Sequence, residues 1–447
     1  MQYGHYKEKW IRLLSSKRFV DDDSKVCLKE PAPLEGRSPF EADIGRAIFS
    51  QPFRRLAGKT QVHPFASVDY IHNRLTHSIE AGHVSRALGR SVAMFIKKER
   101  GDIAGDDAIQ SIGWICQAAG LMHDIGNPPY GHAGEDAIRA WTAQNEATLK
   151  EICGEKVTDD FKYFDGNAQA FRMASRPGLR ETCYFRLTAA ALGAMVKYPY
   201  CTGSSNGKKG KSAAFSTEEM IFDTVWKELG LGKEKRHPLS YITEAADDIC
   251  YRINDFEDAV LMGLLDEDEV KEMLMDGMSF DLQCRLNKEK ASLPRVRALT
   301  IGALVTEFAN VFKANYETIM EGELEKDLKS RIGDKWGGVL ARIKEKYDLI
   351  FSERKKVVSE IGSFGQIGSV LDKYMSLLRE MSSRGEGSRE FESLSFLSQR
   401  LITLAWGGRC YYEANANRPM DWWGHAVLDF VVGMTDEYLH KCATEFL

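Results

Sequence analysis

No stretch of this 447-residue chain approaches the roughly 18 to 20 consecutive apolar residues that a bilayer span requires. A membrane-spanning role is excluded at this level, and no membrane partner is expected. The opening residues, Met1 to Arg12, are charged and aromatic with no continuous apolar segment, so no secretory signal is read there and a cytoplasmic location is expected. Cysteine is sparse and unpatterned. Nine residues, an odd number without a CxxC pair, argue against a disulfide framework and read as reduced core thiols. Positive charge is not in excess either: 60 Lys and Arg stand against 65 Asp and Glu, a net charge of −5. The overall field repels polyanions, so any phosphate or nucleic-acid binding rests on local clusters of Lys and Arg. Internal repeats are absent and strand-like alternation is scarce, which leaves a mostly helical class.

The chain does have enough apolar content, 43% against 28% charged residues, to build a substantial core. Its length favours two or three domains. Residues 1–35 read as a peripheral helix and loop. Across residues 38–61, Arg46, Arg54, Arg55 and Lys59 alternate with Ile48, Phe49, Phe53 and Leu56, which predicts one basic amphipathic helix ending near Gly58. Asn73 is placed to cap the next helix, on which His77, Ala81, Val84, Leu88, Val92 and Phe95 share a face, so His77 points inward. An alanine-rich helix is expected over 187–198, and a Gly/Ser/Lys loop over 201–211. Ser216 with Glu219 has the spacing of a capping box for a helix that runs to Gly230. After Pro238 comes a helix with Ile242, Ala246, Ile249, Ile253, Phe256 and Val260 facing in. Charged amphipathic helices follow, as at 323–344, and 384–389 reads as a loop.

The densest chemistry lies in Leu121-Met122-His123-Asp124-Ile125-Gly126-Asn127-Pro128-Pro129-Tyr130-Gly131-His132-Ala133-Gly134-Glu135. Ile109, Ile112, Cys116, Ala119 and His123 follow one helical face, so the apolar stripe delivers the His123 ring inward. Gly126 is expected to cap that helix at its C-terminus, and Pro128-Pro129 forbid its continuation. Three helices thus present His77, then His123 with Asp124, then an acid of the Asp247-Asp248 pair. Two imidazoles and carboxylates form a mixed nitrogen and oxygen donor set that suits Mn²⁺, Mg²⁺, Fe²⁺, Co²⁺ or Zn²⁺. Such an ion polarises phosphorus centres and orients water. His132 and Glu135 are i, i+3 if the turn re-enters a helix, which lets a carboxylate orient an imidazole for proton transfer. The plainer alternative is a turn histidine beside a helix-start glutamate favoured by the macrodipole.

With these residues in view, the sequence resembles the HD-domain superfamily of metal-dependent phosphohydrolases, whose histidine-aspartate pair is His123-Asp124 here. Within it the chain is most similar to the bacterial deoxyguanosinetriphosphate triphosphohydrolase family. The matching segments are Arg54-Arg55-Leu56 with Lys59-Thr60-Gln61-Val62, Arg74-Leu75-Thr76-His77-Ser78, His123 to Pro129, Gly131-His132 with Gly134-Glu135, Gly166-Asn167-Ala168-Gln169, and Glu244-Ala245-Ala246-Asp247-Asp248-Ile249. Gly433-Met434-Thr435-Asp436 belongs to the same pattern. The resemblance implies an all-α HD-domain fold with additional C-terminal helices, divided into a peripheral segment 1–35, a catalytic core 36–265 and a helical region 266–447 packing on that core. It implies metal ligands at His77, His123, Asp124 and Asp247, filled by Mn²⁺ or Mg²⁺, and a catalytic dyad of His132 and Glu135. It further implies that Arg74, Lys197 and Tyr198 hold a triphosphate, that Gln61 and Asp255 bond the sugar 3′-hydroxyl, and that Tyr251 packs under the deoxyribose and leaves no room for a 2′-hydroxyl. The reaction implied is hydrolysis of a dNTP, dGTP first, to deoxynucleoside and triphosphate, by a homo-oligomer of up to six copies. Two rivals are weighed. One is another phosphohydrolase of this fold, a nucleotidase or phosphodiesterase, although Asn127-Pro128-Pro129 stands where guanosine tetraphosphate hydrolases carry an acidic pair. The other is a nucleotide sensor or single-stranded nucleic-acid binder using Arg46, Arg54, Arg55 and the 208–211 loop.

Overall fold

A computed structural model describes residues 3–22, 25–32, 35–62, 70–175, 185–207, 210–384 and 390–446. Among these the regular structure is helical except for one antiparallel hairpin, Arg18–Asp22 against Lys25–Lys29, in register from Arg18 opposite Lys29 to Asp22 opposite Lys25, and two isolated bridges, Thr60 with Asn73 and Cys201 with Ala214. No helix of the described residues is long and apolar enough to cross a membrane. The eight described cysteines are free thiols, and Cys183 lies outside the described residues.

Three long helices carry the site. Arg74–Phe95 begins at a complete capping box: Asn73 Oδ1 accepts the Leu75 and Thr76 N–H groups at 3.0 Å, and Thr76 Oγ1 accepts the Asn73 N–H at 3.0 Å. Gly105–Met122 lies against it at close range. A Cβ on Gly89 would meet Cys116 Sγ at 2.7 Å, and one on Gly120 would meet Gly82 Cα at 2.9 Å, so small residues set this approach. Ser240–Leu261 packs against both and buries Ile242, Ala246, Ile249, Ile253 and Phe256 as its spacing predicts.

Two buried clusters hold the molecule together. The first runs from Tyr6 to Ile350 and includes the three site helices together with Leu293–Ala314 and Asp334–Phe351. The second joins His132–Cys153 to Arg354–Ser383, Phe396–Trp406, Met420–Val432 and Asp436–Glu445. The 266–447 stretch therefore contributes to both cores, and the turn preceding His132 lies where they meet.

Five local expectations are corrected. The charged helix expected at 323–344 runs instead over Asp334–Phe351, preceded by a 3₁₀ turn at Leu328–Arg331. Residues 38–61 are not one helix but two, Pro39–Ile48 and Gln51–Arg55, followed by a 3₁₀ turn, Leu56–Gly58. Ser50 restarts the chain by accepting the Phe53 N–H at 3.2 Å, with Pro52 fixed in the first turn. The alanine-rich helix is shorter than 187–198: it spans Ala189–Met195, capped by Thr188. Gly126 does not cap the His123 helix, which ends at Met122. Instead it packs against the backbone of Gly166 and Ala170, where no Cβ fits. Ser216 does not cap its helix either, because its hydroxyl donates to Asp160 Oδ1 at 2.7 Å and Lys156 O at 3.0 Å. Residues 208–209 and 385–389, read above as loops, lie outside the described residues.

Candidate active site

His77, at 1% exposure, arrives from the first turn of the Arg74–Phe95 helix, His123 from the end of Gly105–Met122, and Asp247 from Ser240–Leu261. His123 Nδ1 lies 2.7 Å from the Gly120 carbonyl, so that nitrogen carries a proton and Nε2 faces the others. His77 Nε2 sits 3.3 Å away, and Asp247 Oδ1 is 3.1 Å from His77 Nε2 and 3.3 Å from His123 Nε2. Two imidazole nitrogens and one carboxylate oxygen converge there, an arrangement that favours a positive charge among them. Burial opposes charging His123, but the Asp124 and Asp247 carboxylates outweigh it and raise its pKa to about 9. Burial likewise opposes ionising Asp247, and the two imidazoles outweigh it, holding the carboxyl well below its ordinary range. These residues could hold a metal ion. The donor set, two imidazole nitrogens and a carboxylate with a backbone carbonyl fixing one tautomer, fits a divalent cation.

Asp124 stands beside this cluster, its Oδ1 3.6 Å from His123 Nε2. Its oxygens are otherwise engaged: Oδ2 accepts from Arg74 Nη1 and Oδ1 from Asn127 Nδ2, each at 2.6 Å. Asp248 faces away, toward Lys329 at 2.8 Å and Arg252 at 3.6 Å, so Asp247 is the acid of the pair that meets the histidines.

The turn from Gly126 to Gly131 is shaped by backbone constraints. Tyr130 and Gly131 hold φ of 61° and 58°, and the Arg74 guanidinium lies against the position a Gly131 side chain would occupy. His132 then starts the next helix and still faces solvent. Surrounding protein, followed by Arg74 and Lys211, lowers its pKa. Glu135 is buried. Its Oε1 accepts the Gly166 N–H at 2.7 Å and Oε2 lies 3.7 Å from Arg139. No hydrogen bond joins Glu135 to His132 in this structure. Burial and the neighbouring Asp165 push the Glu135 carboxyl up to about 7.

The other residues singled out above line the approaches. Lys197 follows the Ala189–Met195 helix, pairs with Glu244 at 3.0 Å, and lies 5.4 Å over the Tyr198 ring, which Lys211 approaches at 5.6 Å. Tyr251 is half-buried one helical turn beyond Asp247, its ring 5.7 Å from that of Tyr347. Asp255 is buried one turn further. Burial, Asp258 and Asp247 press it toward the neutral acid. Asp255 Oδ2 and Gln61 Oε1 are buried oxygens without a hydrogen-bond partner among the described residues, as are Arg74 Nε and His77 Nδ1.

No protein-family model matches the chain. It is, however, 34% identical over 433 residues to a deoxyguanosinetriphosphate triphosphohydrolase-like protein of Pseudomonas aeruginosa, covering 92% of this chain and 93% of that protein. The chain belongs to the deoxyguanosinetriphosphate triphosphohydrolase family. A like-named protein of Synechocystis is 34% identical over 96% of both chains. A deoxyguanosinetriphosphate triphosphohydrolase of Serratia proteamaculans is 28% identical over 94% of this chain and 97% of its own.

Membership of the deoxyguanosinetriphosphate triphosphohydrolase family accounts for the segments that carried the resemblance, and the structure gives three of them a physical task. Lys59 is buried and bridges the Asn127 carbonyl at 2.6 Å and the Val432 carbonyl at 2.7 Å. Its burial, offset in part by Asp436, lowers its pKa to about 7. Gly166 brings its N–H to Glu135, and a Cβ there would crowd Asn127. Asp436 receives both the Thr60 and the Tyr130 N–H groups. Asn127, Lys211 and Asp165 were not singled out for roles at the site. Asn127 stands inside the matching turn, which was the signal for it. Lys211 is marked only as part of the basic 208–211 loop, and Asp165 has no local pattern to mark it, since it acts by accepting the Ser212 N–H at 3.1 Å from a separate loop.

Proposed function

We propose that the chain is a metal-dependent deoxynucleoside triphosphate triphosphohydrolase that converts dGTP and water to deoxyguanosine and intact triphosphate. The observation that carries this reading is the convergence of His77, His123 and Asp247 beside an Arg74-Asp124 pair, in a chain whose relatives are named for that reaction. His77, His123 and Asp247, with Asp124 beside them, would hold Mn²⁺ or Mg²⁺, and Co²⁺, Fe²⁺ or Zn²⁺ suit the same donors. When bound, the ion supplies Lewis acidity at the α-phosphate and offsets part of its charge.

The chain's own residues do the rest. Arg74, Lys197 and Tyr198 hold the triphosphate, whose charge requires nearby cations and donors. Gln61 and a protonated Asp255 suit the sugar 3′-hydroxyl, because one buried oxygen on each lacks a partner. Tyr251 walls the deoxyribose. Water adds to the α-phosphorus, the bond to the 5′-oxygen breaks, and that oxygen leaves with a proton. His132 handles this proton: its lowered pKa leaves it neutral at rest, ready to gain charge as the anionic substrate arrives. Glu135 stands behind it as a carboxyl near its midpoint at neutral pH.

The test is turnover of each dNTP and matching NTP with Mn²⁺ and with chelator, in wild type and in His77→Ala, His123→Ala and Asp247→Ala. Hydrolysis confined to dNTPs, lost on chelation and in all three variants, is expected. Turnover that survives chelation, or equal rates on ribonucleotides, would overturn the proposal.

A further inference from the structure

One carboxylate from the far end of the chain reaches both walls of the candidate site. Asp436 opens the helix Asp436–Glu445 and is only 4% exposed. Its Oδ2 accepts the Thr60 N–H at 2.8 Å, 376 residues away in sequence, and its Oδ1 accepts the Tyr130 N–H at 3.0 Å, 306 residues away. Thr60 immediately precedes Gln61. Tyr130 lies two residues before His132 and holds a left-handed φ of 61°, which a bulky residue keeps only where its surroundings dictate it. The contact is reinforced on every side. Lys59 ties the Asn127 carbonyl to the Val432 carbonyl, Arg55 Nη1 donates to the Gly433 carbonyl at 3.1 Å, and a Cβ on Gly58 would fall 2.9 Å from Thr435 Cβ.

We infer that Asp436 is a positioning residue for the reaction, setting Gln61 at the sugar and His132 at the departing oxygen in fixed register. The inference rests on the function proposed above. Lys59 also joins the two walls, through the Asn127 carbonyl, but Asp436 is the carboxylate that holds the backbone N–H of each, one oxygen to Thr60 and one to Tyr130. A carboxylate is needed because both partners are N–H donors. An asparagine offers a single acceptor oxygen and turns its amide N–H toward the second donor, so one wall loses its hold while the side chain keeps its size.

The experiment uses full-length Asp436→Asn with dGTP and its 3′-deoxy analogue, alongside Mn²⁺ titration and hydrogen exchange of the segments containing Thr60 and Tyr130. Mn²⁺ affinity should stay within about twofold, because the four assigned ligands lie on other elements. Exchange at one or both amides should quicken, kcat for dGTP should fall about tenfold or more, and the preference for dGTP over the 3′-deoxy analogue should narrow. Should Asp436→Asn not fold, Asp436→Glu keeps both acceptors one methylene out of place, and the same narrowing is expected. Wild-type kcat and 3′ preference in a folded variant would overturn the inference. Activity lost only in proportion to the folded, Mn²⁺-binding fraction, with 3′ preference intact, would overturn it too, leaving a purely structural clamp. If the wild-type protein hydrolyses no dNTP, the function proposed above falls first and this inference with it.

Discussion

Replacing Arg74 with methionine removes the cation on which a buried carboxylate depends. Arg74 is 5% exposed, its Nη1 lies 2.6 Å from Asp124 Oδ2, and the Asp124 side chain keeps 13% of its surface. Methionine matches much of the length and none of the charge. Removing one partner of a buried pair costs about 3 to 5 kcal/mol, since the other charge stays desolvated. Unfolding entropy of about 2.1 cal/mol/K per residue amounts to about 0.9 kcal/mol/K for 447 residues, so the midpoint of thermal unfolding should fall by about 3 to 5 °C. The sign of the pH dependence also follows. Burial pushes the Asp124 carboxyl up, but Arg74 foremost, then His123 and His77, bring it below its ordinary value. A carboxyl depressed in the folded state lends stability above its unfolded pKa and loses it as pH falls through the folded one. The difference between wild type and Arg74→Met should therefore be full near neutrality and shrink below about pH 4. Thermal unfolding in chelator across that range measures it, and added Mn²⁺ should restore part of the loss by supplying another cation. Arg74→Met melting within about 1 °C of wild type, in chelator near neutrality, would refute the assignment of Arg74 as the counter-charge to Asp124.

Four further outcomes follow. His132→Ala should bind Mn²⁺ normally by calorimetry yet lose about 10² to 10⁴ in turnover, and near-normal rates would remove His132 from the mechanism. Tyr251→Ala should raise the rate on GTP relative to dGTP, whereas unchanged discrimination would place the sugar filter elsewhere. Gly126→Ala drives a methyl into the backbone of Gly166 and Ala170, so the denaturation midpoint should report a loss of about 1 to 3 kcal/mol or more; an unchanged midpoint contradicts the packing described. The Glu135 carboxyl, raised from an ordinary 4.5 to about 7, binds its proton more tightly when folded, so it supports the fold at low pH and loses that support as pH climbs through 7. Glu135→Gln should flatten this decline in melting temperature, and parallel slopes in the two proteins would show that Glu135 does not titrate there.

Much of the architecture was legible because its signals are local. The Asn73 capping box and the i, i+3, i+7 spacing through Val92 define the Arg74–Phe95 helix, and the stripe from Ile242 to Phe256 defines Ser240–Leu261. The same periodicity pointed His77 and His123 inward, and the structure brings them within 3.3 Å of each other. Local signals failed where a distant partner competed for the same atom. Ser216 has the spacing of a cap, yet Asp160 takes its hydroxyl. Gly126 looks like a helix terminator and is instead the gap through which Gly166 approaches. Glu135 stands i+3 from His132, but its oxygens go to Gly166 and Arg139. Choosing Asp247 over Asp248 was likewise beyond periodicity, since both border the same face and only Lys329 and Arg252 draw Asp248 away. The contact of Lys59 with Val432 and those of Asp436 with Thr60 and Tyr130 span more than 300 residues, a separation about which no helical period carries information.

The most direct test of the central claim is product identity. The Mn²⁺-loaded protein would be incubated with dGTP and the products resolved by ion-exchange chromatography with mass detection. Deoxyguanosine and intact triphosphate in equal amounts are the predicted result, since the bond that breaks is between the α-phosphorus and the 5′-oxygen. Appearance of dGMP with pyrophosphate, or of dGDP with phosphate, would contradict it.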